Sequence, residues 1–229
     1  MRILKTDAQG NLLWSQNFGL ADYKEAGYGI TVTANGDIVA VGERSKTDNK
    51  IYVVRLNSAG TLQWENTYSI VAGESGQSIV ETENGGFVIA GSTRIPNTSI
   101  QQGLLLKITG DGSPIPVWLH TFSSNAQILN DVENDGTGGF IVTGRTPEIV
   151  GLQNETYIAR FSAQGSLIWE NSAGKLGLSE GLAVARAING GFVAVGYAST
   201  STSPFQPQRY AYMVRTDADG NIFTNYLKG

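Results

Sequence analysis

Residues 84–91, NGGFVIAG, decide the fold, because the chain repeats them. A glycine turn leads into an apolar strand that ends in Gly, and the same design returns as NGDIVAVG (35–42), TGGFIVTG (137–144) and NGGFVAVG (189–196). Glycine opens such a turn because it enters φ > 0 without steric cost. The strand that follows is apolar at nearly every position, which is the pattern of a strand covered on both faces.

A second landmark alternates with the first. A basic residue, a polar turn closed by Gly and an outgoing strand recur as KTDAQGNLLW, RLNSAGTLQW, KITGDGSPIPVW, RFSAQGSLIW and RTDADGNIFT. Trp14, Trp64, Trp118 and Trp169 stand 50, 54 and 51 residues apart, with Thr224 in the fifth equivalent place. Each unit of about 50 residues reads as four short strands, a to d, joined by turns. In the second landmark Leu62 and Trp64 share one face of strand d while Gln63 and Glu65 share the other, as in a half-exposed outer strand. No segment carries a sustained i, i+3, i+4 apolar pattern, so helices are not expected.

Bulk composition agrees. Hydrophobic residues make up 41% of the 229, charged residues only 16%, and there are 29 glycines, a profile of many short strands and tight turns. The net charge of -4 and the lack of a basic run speak against nucleic-acid binding. The absence of cysteine excludes disulfides, thiolate metal sites and a cysteine nucleophile. The first residues, MRILKTDAQG, lack the apolar stretch of a signal peptide, and no segment approaches the ~20 apolar residues of a membrane span.

The recurring positions have structural readings. Asp7, Asn57, Thr109, Ser162 and Asp217 open the second turn with an acceptor oxygen, and Gly10, Gly60, Gly112, Gly165 and Gly220 close it. Asp217, Asp219 and Asn221 are the one set that resembles a calcium loop. The sister turns carry too few carboxylates for the six to eight oxygens calcium needs, so the turn reading is preferred and no metal is expected. Lys5, Arg55, Lys107, Arg160 and Arg215 are read as cations paired to nearby carboxylates, and the tryptophans as packing anchors. His120 is the only histidine and has no partner by spacing. Glu25, Glu74 and Glu180 are read as occupying corresponding structural places. No catalytic constellation and no cofactor site is found.

Strand parity singles out a face. In an a-b-c-d meander the short a–b and c–d turns lie together, and the b–c and d–a connections lie on the opposite side. The latter are long and unlike one another, and variable loops on a repeated scaffold are where binding is expected. Arg44, Arg94, Arg145, Tyr197 and Arg209 are the candidate binding residues there.

The pattern KTDAQGNLLWSQNFG, with NGGFVIAG and STR, resembles the roughly fifty-residue β-propeller repeats of large secreted or cell-surface bacterial and archaeal proteins. It is more distantly similar to the Trp-docking repeats of quinoprotein-type propellers, though without their cofactor-binding acid, Arg and calcium constellation. Kelch repeats place their double glycine after an apolar strand, whereas Gly85–Gly86, Gly138–Gly139 and Gly190–Gly191 precede one. The resemblance implies an all-β propeller of four-stranded antiparallel blades. It also implies an extracellular or cell-surface prokaryotic setting and a binding, display or scaffold role toward a protein or glycan. A propeller enzyme, hydrolase or quinone-dependent, is the alternative.

Within a single domain, 1–229, the count is a c–d half blade at 1–19 and complete blades at about 28–68, 76–122, 126–172 and 181–229. Five-bladed closure is the favoured expectation. A fragment of a larger ring, or a two-chain assembly through the incomplete blade, are the others, because unpaired strand edges invite pairing.

Overall fold

The computed structural model describes residues 1–71, 73–122, 128–146, 154–174, 178–188, 190–199 and 209–228, with side chains up to residue 223. Every regular element among them is a β-strand. The first sheet has two strands, β1 (Arg2–Thr6) and β2 (Leu12–Asn17). The second joins β3 (Lys24–Val32), β4 (Ile38–Ser45), β5 (Asn49–Leu56) and β6 (Leu62–Tyr68), and the third β7 (Ser75–Glu81), β8 (Phe87–Arg94), β9 (Gln101–Ile108) and β10 (Trp118–Phe122). The fourth joins β11 (Ile128–Asn134), β12 (Phe140–Arg145), β13 (Thr156–Phe161) and β14 (Leu167–Ala173). The fifth joins β15 (Ser179–Arg186), β16 (Phe192–Ser199), β17 (Arg209–Thr216) and β18 (Ile222–Lys228). All pairing is antiparallel between consecutive strands.

Successive sheets pack face to face through the apolar second and third strands. Val39, Val41, Ile51 and Val53 of one sheet meet Ile79, Phe87, Ile89, Leu104 and Leu106 of the next. Val80, Val88, Ala90 and Leu105 then meet Val132, Phe140, Val142 and Tyr157. Ile141 and Ile158 meet Val184, Phe192 and Ala194. The strand-b pattern read from NGGFVIAG is therefore the core: both of its faces are buried because a sheet lies on each side.

A second device locks the outer strands. Trp64 lies on Gly112 and Trp169 on Gly220, so that a Cβ at either glycine would come within 2.5 Å of the indole. Trp14 on Gly60 and Trp118 on Gly165 repeat the arrangement. The basic residue before each of the first four turns reaches the next sheet's turn carbonyl: Lys5 to Ser58, Arg55 to Gly110, Lys107 to Ala163 and Arg160 to Ala218. Where that residue is Arg, the tryptophan N–H donates to the same carbonyl, Trp64 to Gly110 O at 3.2 Å and Trp169 to Ala218 O at 2.9 Å. Where it is Lys, the buried indole N–H of Trp14 and Trp118 has no acceptor. These four cations thus serve the joint between sheets, and among the described residues only Arg55 and Arg160 of them also hold carboxylates, Asp37 and Asp135.

Asp135 gives this joint a pH dependence. Burial alone would raise its pKa, but hydrogen bonds from Thr137 and Arg160 outweigh it and hold the carboxyl below its usual range. A depressed folded pKa contributes stability that is present above the unfolded value and lost as pH falls through the folded one. Acid unfolding of Asp135→Asn, followed by tryptophan fluorescence, is expected to show a shallower loss of stability below the ordinary aspartate range than the parent.

Among the described residues, the outward face of β16 is uncovered. Val195 of β16 is 44% exposed, whereas Val41, Ala90 and Thr143, at the same register position in the other sheets, are buried. Among the described residues β15–β18 make no extended packing with β1–β6.

Candidate functional site

The five loop-face residues sort into three places. Arg44, at the end of β4, is buried. Its Nε donates to Glu25 Oε1 at 3.0 Å, an Nη lies 3.6 Å from Glu65, and its guanidinium lies 3.8 Å above the Tyr52 ring. Arg94, at the end of β8, makes an exposed ion pair with Asp48 at 3.2 Å. These two arginines serve as ties within the scaffold. An exposed pair of this kind contributes at most about 1 kcal/mol.

Arg145 and Tyr197 come together on Glu180, and Arg209 joins them through the Tyr197 ring. Glu180 is buried at the start of β15. Its Oε2 accepts from the Tyr197 hydroxyl at 2.8 Å and from Arg145 Nη1 at 3.4 Å, and its Oε1 accepts from Asn130 Nδ2 at 2.7 Å. Arg209 lies exposed over the Tyr197 ring, 4.3 Å from its centroid. Burial, then the hydrogen bond and charge of Glu180, raise the Tyr197 pKa, against the pull of Arg209 and Arg145. Tyr197 therefore stays a neutral donor at physiological pH. Arg145 Nε is buried with no partner. One guanidinium group, that of Arg145, faces the Glu180 carboxylate, and the other, that of Arg209, lies on the Tyr197 ring.

Register explains why these groups meet. Glu25 and Glu74 stand two residues before the strand-a glycine (Gly27, Gly76), whereas Glu180 stands one before Gly181. Ser179, not Glu180, holds the Glu25 place, correcting the expectation that the three acids correspond. Side chains alternate along a strand, so the one-residue offset turns Glu180 to the opposite face, toward the preceding sheet. Glu25 and Glu74 instead accept backbone N–H groups of the incoming connection, Glu25 from Leu20 and Glu74 from Ile70 and Val71.

Asn130 owes its position to a β-bulge. Each first strand shifts register once, leaving Tyr28, Gln77, Asn130 and Leu182 unpaired. Bulges re-aim a side chain, and Asn130 is thereby brought to Glu180 and Gly181 O. The sequence signal is a variable residue between neighbours in GYG, GQS, LND and GLA, and sequence reading overlooked it.

The other candidates have plain positions. Asp217 spends its carboxylate within its own turn, accepting from Asp219 N, Asn221 N and Asn221 Nδ2 at 3.0, 2.8 and 2.8 Å, as Asp7 does with Asn11. His120 lies in β10 between the rings of Trp118 and Phe161, 5.7 and 6.0 Å away. The connections 147–153 and 200–208 flank the Glu180 cluster in sequence and lie outside the described residues. Among the described residues, no helix is long and apolar enough to cross a membrane.

No family model matches the chain, and no curated protein matches its sequence. Solved structures resemble it. A protein of unknown function from Dyadobacter fermentans superimposes with a TM-score of 0.57 at 14% identity, over 96% of this chain and 67% of that one. MPT-4, a mannose phosphorylase from Leishmania mexicana solved with phosphate ion, gives 0.44 at 14% identity, over 91% of this chain and 69% of that one. The first likeness is one of fold alone, and the second is too loose to bear on function.

Proposed function

We propose that the chain is a run of β-propeller blades, four complete and one half, acting as a non-catalytic binding module. Its repeats resemble those of prokaryotic cell-surface and secreted proteins, and an extracellular or cell-surface setting follows from that resemblance. The ligand is a protein or glycan that meets the b–c and d–a connections. One observation carries the reading: of the loop-face residues picked by strand parity, Arg145 and Tyr197 meet at Glu180 and Arg209 covers the Tyr197 ring. They leave two guanidinium groups, one of them exposed, beside a half-buried tyrosine ring on that face. Such a surface favours a ligand bearing a carboxylate or another anionic group, since Arg pairs with planar oxyanions through two parallel hydrogen bonds.

The carboxylate at the centre suits binding more than catalysis. Both Glu180 oxygens already accept hydrogen bonds, so it holds the cluster in shape, as the supporting shell of a rigid site does. Arrayed glycans, with and without carboxylates, and a colourimetric hydrolase panel test the proposal together. Retention of carboxylated glycans or acidic proteins without turnover supports it. Turnover of any substrate in the panel, lost on Glu180→Gln, would replace it with the enzyme reading. Retention is expected to fall by about tenfold in Arg209→Ala, the scale of one lost charge-assisted contact.

A further inference from the structure

The bulged residues fall into one row across the four complete sheets, and every step of that row is held. Gly29, just after the bulge of β3, packs so closely on β7 that a Cβ there would lie 2.7 Å from Gln77 O and 2.9 Å from Ser78 Cα. Ser78, just after the bulge of β7, donates its hydroxyl to Asp131 Oδ1 at 2.7 Å. Asp131, just after the bulge of β11, accepts the Val184 N–H of β15 through its other oxygen at 2.9 Å. One carboxylate thus ties the first strands of three sheets. Tyr28, Gln77, Asn130 and Leu182 follow one another along the row as a consequence, and its end members Tyr28 and Leu182 are each about half exposed.

Beside the row the charge changes sign. The residue after the closing glycine of each second strand holds one register position: Glu43 opposite Ala26, Ser92 opposite Ser75, Arg145 opposite Ile128 and Tyr197 opposite Glu180. Across the four sheets that position passes from an acid to a guanidinium and then to a tyrosine that carries Arg209. Glu43 is partly exposed and accepts from Asn49 Nδ2 at 2.9 Å and from the Tyr28 hydroxyl, whose pKa is raised by burial and by that charge. Among the described residues no cation pairs with Glu43 and no carboxylate pairs with Arg209. These two unpaired charges stand at opposite ends of the row, with the sheets β7–β10 and β11–β14 between them.

We propose that the row binds an extended peptide segment with a basic residue at the Glu43 end and an acidic residue at the Arg209 end. The inference rests on the loop-face reading above and narrows its ligand to a protein. An anionic glycan answers Arg209 but sets like charge against Glu43, whereas a chain carrying both signs matches both ends. In the middle, Gln77 spends its Nε2 on Ser75 Oγ at 3.0 Å, which leaves its Oε1 as an acceptor for a peptide N–H. Because the strands are tied to one another, the spacing of the two charges is set before binding, which lowers the cost of ordering the site.

Acetylated, amidated octapeptides are the probe: one pool with a lysine and a glutamate at opposite ends, one acidic only and one neutral. The mixed pool is expected to bind the intact protein about tenfold more tightly than the acidic pool, as for one added charge-assisted contact. Replacing the lysine of the best mixed peptide by norleucine should remove that gain. Glu43→Gln keeps an oxygen for Asn49 and is expected to melt close to the parent. It should weaken the lysine peptide by about tenfold and leave the norleucine analogue unchanged, which couples the loss to the peptide's cation. Equal binding of the mixed and acidic pools, or a Glu43→Gln loss that the norleucine analogue shares, would overturn the inference. The loop-face reading itself survives those results if Arg209→Ala still weakens the acidic peptides. No retention of any pool overturns the inference too, and overturns the loop-face reading with it if carboxylated glycans and acidic proteins also fail to bind.

Discussion

Gly112→Ala is expected to destabilise the protein by about 3 kcal/mol, the sum of a left-handed backbone penalty for alanine and an overpacked contact. Gly112 has φ +74°, and a Cβ there would fall 2.5 Å from the Trp64 ring. Gly10 provides the control within the same chain. Its φ is +86°, yet nothing lies within 4 Å of where its Cβ would be. Gly10→Ala should therefore cost only the backbone part, about 1 kcal/mol. For a chain of this size the larger change corresponds to a Tm lower by roughly 6–12 °C. Differential scanning calorimetry of the two variants separates the turn from the joint. Equal losses would mean that the tryptophan does not anchor neighbouring sheets.

Glu180→Ala is expected to cost about 3 kcal/mol, within the range for removing one partner of a buried charged network. The loss leaves Arg145 without its carboxylate and Asn130 and Tyr197 each short of an acceptor. Glu180→Gln keeps an oxygen and should lose less than half as much, as one neutral hydrogen bond replaces a charge-assisted one. Denaturant unfolding measures both. If Glu180→Ala is as stable as the parent, the cluster is not an organised unit and the proposed site loses its frame.

The repeat was legible because its joints use residues with few alternatives. NGGFVIAG states a turn and a strand buried on both sides, and β8 is that strand. The tryptophan spacing states equivalent surfaces, and each tryptophan does meet the next sheet's glycine. Arg44 shows where legibility ends. It stands at the edge of a variable connection and looks available, but its second carboxylate, Glu65, comes from β6 at the far side of the sheet. Pairing through the fold cannot be read from spacing along the chain. Glu180 fails for a subtler reason. Its motif, SEG, differs from ESG by one position, and only the register shows that this offset reverses the face.

The bulged residues teach the same lesson. Tyr28, Gln77, Asn130 and Leu182 look like noise between small residues, yet the backbone singles out that position in every complete sheet. A site residue such as Asn130 becomes visible once the extra residue is counted in the ladder.

The most direct test of the binding proposal compares the two sides of the stack. Arg209→Ala with Tyr197→Phe alters the loop face, and Asp217→Ala with Asn221→Ala alters the turn face. Binding of each double variant to the best ligand from the glycan and protein screen is measured by titration calorimetry, with circular dichroism as a check on folding. Loop-face loss of about a hundredfold, the product of two lost contacts, with turn-face binding equal to the parent, is the predicted result. Loss confined to the turn-face variant would contradict it and move the working surface to the opposite side.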